Sequence, residues 1–101
     1  MVFIIRRIVL DVLKPHVPPI HEFAKKLGEI PHIKKVDITI QEIDEDTQTV
    51  RISIEGNELL YEEIEKKISE LGATIHSVDE ATGVRTKEQN RKQKAKELGR
   101  R

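Results

Sequence analysis

The sequence contains no cysteine and no tryptophan, and its aromatic residues amount to Phe3, Phe23 and Tyr61 among 101. Without thiols there is no disulfide framework, no thiolate metal centre and no cysteine nucleophile. So few aromatics leave the core to isoleucine, leucine and valine. A long uncharged apolar run is also missing. The opening "MVFIIRRIVLDVL" is cut by Arg6, Arg7 and Asp11, so it reads as neither a membrane-crossing helix nor a signal peptide. The expectation is a cytoplasmic protein with no membrane partner. Catalytic motifs are lacking as well. There is no GxGxxG, no P-loop and no GxSxG, and Ser53, Ser69 and Ser77 have no evident base-and-orienter partners. The reading is therefore of a protein that is not an enzyme.

Net charge is absent too, but unevenly. With 18 basic and 18 acidic residues the formal charge is zero, yet residues 85–101 hold eight of the former and two of the latter. An acidic body, net −6 over residues 1–84, carries a basic end, net +6. Such an end offers phosphate contacts to a nucleic acid, or simply a solvated helix or disordered tail. The chain divides accordingly into a domain over 1–84 and a basic C-terminal tail over 85–101.

What is present is aliphatic periodicity. Ile8, Leu10 and Val12 alternate with Arg7, Val9, Asp11 and Leu13, the pattern of a strand with one dry and one mixed face. Prolines 15, 18 and 19 break the chain before Ile20, Phe23, Ala24 and Leu27, the stripe of an amphipathic helix that Gly28 and Pro31 end. Strands follow over 33–43 and 49–55, joined by "DEDTQ" at 44–48, a turn built from residues that bond their own backbone. Asn57 is the expected N-cap of a second helix, with Leu60, Ile64, Ile68 and Leu71 on one face and Gly72 as its stop. Residues 73–82 form the last strand. There Ile75 and Val78 have opposite parity, which predicts a bulge or a twist.

The order β-α-β-β-α-β predicts an α+β, ferredoxin-like two-layer sandwich, with an antiparallel sheet in order 4-1-3-2 and both helices on one face. The other face collects Arg7, Val9, Asp11, Leu13, Asp37, Thr39, Gln41, Arg51, Ser53 and Glu55. On the two central strands it shows acids where RNA-recognition sheets stack bases on aromatics. This topology sets the start of the fourth strand beside the end of the first. It groups Asp11, Lys14 and His16 with His76, Asp79 and Glu80. Clustered carboxylates suit Ca2+ or Mg2+, and two histidines with a carboxylate suit zinc. The candidate metal ligands are thus Asp11, Asp79, Glu80 and His76, with Lys14 and His16 beside them. Lys14 is read as a salt-bridge partner of Asp11, and the two histidines as hydrogen-bonded structural residues.

"RRIVLDVLKPH" at 6–16, "VDITIQEID" at 36–44, "IEGNELLYEEI" at 54–64 and "IHSVDE" at 75–80 together resemble an archaeal family of uncharacterised proteins, domain of unknown function number 211. The resemblance covers about residues 4–82. It implies a ferredoxin-like subunit in a ring-like homo-oligomer and no known activity. It singles out the same residues, Asp11, Lys14, Pro15, His16, His76, Asp79 and Glu80. After Glu80 the chain departs from the family pattern into its own basic extension. Three functions follow as expectations: a self-assembling protein with a divalent-cation site, a nucleic-acid-binding module acting through residues 85–101, and a small-molecule sensor at subunit interfaces.

Overall fold

A computed structural model describes residues 1–87; most of the basic stretch, 88–101, lies outside the described residues. The elements are β1 (Val2–Pro15), α1 (Ile20–Leu27), β2 (Ile33–Ile43), β3 (Thr47–Gly56), α2 (Tyr61–Glu70) and β4 (Thr74–Thr86). The four strands form one antiparallel sheet in the order β2-β3-β1-β4. This is the expected βαββαβ arrangement.

Burial explains why these segments adopt these forms. Ile8, Leu10 and Val12 of β1 meet Val50, Ile52 and Ile54 of β3 on one side of the sheet, with Phe23 and Leu27 of α1 and Ile64 and Ile68 of α2 laid over them. Each such side chain contributes about 1.5–3 kcal/mol when taken fully from water. Proline positions the start of α1: Pro19 holds an extended conformation and its carbonyl accepts from the N–H of Phe23 at 2.9 Å. The end of α2 is a Schellman turn, in which Ala73 N–H donates to the Ile68 carbonyl (3.1 Å) and Gly72 N–H to that of Ser69 (3.0 Å). The turn needs the left-handed backbone that Gly72 adopts at φ +84°.

Two details at the start of α2 correct the sequence reading. The N-cap is Leu60, not Asn57. Asn57 instead gives its N–H to the His32 carbonyl (2.9 Å) and its own carbonyl accepts from Arg6 Nε (3.1 Å). The segment between them tucks Leu59 into the core while Leu60 is 44% exposed, so Leu59 takes the buried place assigned to Leu60. Backbone bonding drives this: Leu59 N–H donates to the Ile5 carbonyl at 2.8 Å and fixes the entry to the helix.

β4 is longer than its apolar pattern suggests. It continues to Thr86, pairing Gly83 with Ile5, Arg85 with Phe3 and Thr86 with Val2. The strand thus takes in the first two residues of the stretch read as a tail. The expected irregularity is present as a bulge, one of two in β4, and a third shift in the ladder leaves Arg6 of β1 extra. Asp11 pairs with Ser77 and Val12 with Ile75, which leaves His76 extra; Val9 pairs with Glu80 and Leu10 with Val78, which leaves Asp79 extra. Each extra residue shifts the strand's parity, so Ile75 and Val78 both sit opposite core residues of β1.

Candidate functional site

The two bulges decide how the expected cluster is distributed. The finish of β1 does lie beside the beginning of β4, and His76 Nδ1 stands 3.3 Å from Asp11 Oδ2. The other expected ligands go elsewhere. Asp79 accepts a hydrogen bond from Ser77 Oγ at 2.7 Å. Glu80, returned by the second bulge to the face opposite the helices, lies between two arginines: Arg7 Nη1 donates to Oε1 and Arg51 Nη2 to Oε2, each at 2.9 Å. Arg7 also approaches Glu55 at 3.9 Å. Among the described residues no group of three or more histidines and carboxylates is placed to hold a metal ion.

Lys14 is the largest departure. It shares the parity of Leu10 and Val12, so it points toward the helices and away from Asp11, and no part of it is exposed. The Asp11–Lys14 salt bridge is therefore not formed. Lys14 Nζ donates to the Pro15 carbonyl at 2.8 Å and to Gln48 Oε1 at 3.3 Å, and lies 5.7 Å from the centre of the Phe23 ring. Burial without a carboxylate partner pushes its ammonium below the usual lysine range. Gln48 Nε2 in turn lies 3.4 Å from His16 Nδ1, and His16 Nε2 is 3.1 and 3.0 Å from the carbonyls of Asp44 and Glu45. With Gln48 donating to Nδ1, the imidazole carries its proton on Nε2 and donates to those carbonyls. Lys14 and His16 thus pin the β2–β3 turn to the end of β1, as a structural latch.

The sheet face opposite the helices is closed by its own charges. Val9 sits in register between Ser53 and Glu80 and is fully buried there. Hydrogen bonds from Arg7 first, and then from Arg51, hold the Glu80 carboxyl below the usual carboxylate range. A depressed carboxylate contributes stability above its unfolded-state pKa and loses it as pH falls through the folded-state value. Glu80→Gln is accordingly expected to lower the melting temperature at neutral pH. The gap to wild type should close in strong acid and narrow in high salt. Melts over a pH and salt grid check this; a gap independent of both would mean that the arginine pairing contributes nothing.

A groove on the helix side, between α2 and β4, is lined by Glu62, Glu65, Lys66, Ser69 and Ile75, separate from the Asp11–His76 pair. The arrangement defines a two-layer βαββαβ protein whose open sheet face is occupied by internal ion pairs. Comparison with known proteins gives the family. The chain matches the family model DUF211, described as an uncharacterised ArCR, over residues 6–96, and it belongs to that archaeal family. It is 54% identical over 76 residues to uncharacterised protein MJ0319 of Methanocaldococcus jannaschii, a match covering 75% of this chain and 78% of that one. The family match reaches residue 96, so most of the basic C-terminal stretch lies within it. Among the described residues no helix is long and apolar enough to cross a membrane.

Proposed function

We propose that the protein is a non-catalytic, ferredoxin-like subunit that assembles with copies of itself through the free edge of β2. The observation that carries this is a mismatch of lengths. The eight residues of α1 cover about 12 Å, whereas the eleven residues of β2 run about 36 Å. Val36, Ile38 and Ile40 face the helix layer but are only partly buried against the core. An edge strand with apolar side chains still half in water is a template for another chain. Both edge strands are bulged, β4 at His76 and Asp79 and β2 at Lys34 and Gln41. Between Lys35 and Ile40 the pairing of β2 is regular. Cation binding is left out of the proposal, because Asp79 and Glu80 are committed to Ser77 and to the two arginines.

Sedimentation velocity tests the reading. Wild type is expected to run as a species larger than a monomer at micromolar concentration, and Ile38→Lys as a folded monomer. A wild type that remains monomeric removes the proposal, and so does an Ile38→Lys variant with unchanged association.

A further inference from the structure

We infer that the free end of the β1–β4 ribbon is a binding surface for single-stranded nucleic acid, with Phe3 as a stacking platform. At this end Val2, Phe3 and Ile4 pair with Thr86, Arg85 and Val84. Phe3 is 61% exposed, an unusual position for one of three aromatic residues in the chain. Its ring is held in place from one side. A Cβ added at Gly83 would lie 2.3 and 2.8 Å from two ring atoms, so the ring rests directly on glycine backbone. The Arg85 guanidinium lies over the ring, 5.6 Å from its centre; a base stacks on the ring by swinging that flexible side chain aside, where it can pair with the phosphate.

The two strand segments at this end are basic, with Glu58 beside them where Asn57 and Leu59 bond Arg6 and Ile5. Residues 1–6 and 83–87 contain Arg6, Arg85 and Lys87 and no acid. The segment between, 7–82, holds 9 basic and 16 acidic residues. A polyanion is thus attracted to this end and repelled by the rest of the surface. A fixed aromatic beside cationic side chains is the combination that binds single strands with little sequence preference. The ribbon end lies on the opposite side of the sheet order from the β2 edge.

Fluorescence anisotropy of the full chain with labelled oligo-dT and oligo-U tests the inference. Saturable binding is expected at low salt. Affinity should drop about twentyfold for a fourfold rise in salt if three phosphates are contacted. Phe3→Leu keeps an apolar cover on Gly83 but removes the stacking face, and should weaken binding roughly 5- to 150-fold. Phe3→Trp should preserve it, and Arg85→Glu should weaken it and flatten the salt slope. No binding up to about 100 µM, the weak end of non-specific affinities, overturns the inference. Unchanged affinity in Phe3→Leu overturns it as well. Equal affinity for duplex DNA or heparin would show a general polyanion surface without stacking, and would overturn it too.

Discussion

Replacing Lys14 by alanine is expected to lower the unfolding free energy by about 2–4 kcal/mol, the range for truncating a long buried side chain. The stem of Lys14 fills space beside Phe23, and its ammonium is a donor for the Pro15 carbonyl and Gln48. Alanine would leave a cavity and an unpaired carbonyl next to the latch that holds His16 against the β2–β3 turn. Lys14→Met should recover much of the loss, since it restores the volume without the charge. The pH dependence separates the two contributions. Because burial lowers the lysine's folded-state pKa, the unfolded chain binds more protons between that value and the ordinary lysine range. Wild-type stability should therefore rise with pH through this window, and the rise should vanish in Lys14→Met. Urea denaturation at several alkaline pH values checks both points. A Lys14→Ala variant as stable as wild type would show that the buried ammonium costs as much as its packing contributes.

Gly56→Ala should destabilise by about 3 kcal/mol, at the upper end of ordinary overpacking. A Cβ there would stand 2.1 Å from the His32 carbonyl oxygen and 3.0 Å from Ile33 Cα. Both are backbone atoms, and that carbonyl is held by the Asn57 N–H at 2.9 Å. Neither strand can give way without losing the contact that joins the start of β2 to the end of β3. The comparison variant is Gly28→Ala. Gly28 has a helical φ of −67°, and its added Cβ would meet only ordinary contacts at 3.5 Å. That change should be neutral or stabilising by up to about 1 kcal/mol. Thermal melts of the pair decide the point, and equal melting temperatures would contradict this account of the crossing.

The alternation of β1, β2 and β3 and the stripe of α1 were legible because each is set by local parity, and parity is all that a half-buried strand or helix needs. Even the irregularity of β4 was visible, in the conflict between Ile75 and Val78. Its consequence was not. Whether Glu80 faces Asp11 or the arginines depends on a second bulge at Asp79, which no local pattern announces, so a cluster of four expected ligands resolved into one Asp11–His76 pair. Lys14 was misplaced by its chemistry rather than its position: its parity with Leu10 and Val12 put it on the core side, and only its charge argued for the other. Asn57 was read by capping propensity, but the bond from Leu59 to Ile5 delays the helix to Tyr61. Phe3 and Gly83 are far apart in the sequence. Their contact follows from the β1–β4 register alone.

The central claim is that the β2 edge is completed by a second copy of the chain. Amide hydrogen exchange measures this at the edge itself. If the claim holds, the outward-facing amides within Lys35–Ile40 are protected at high protein concentration and lose protection on dilution, while those of β1 do not change. Protection of this segment that is independent of concentration, or absent at every concentration, would contradict it.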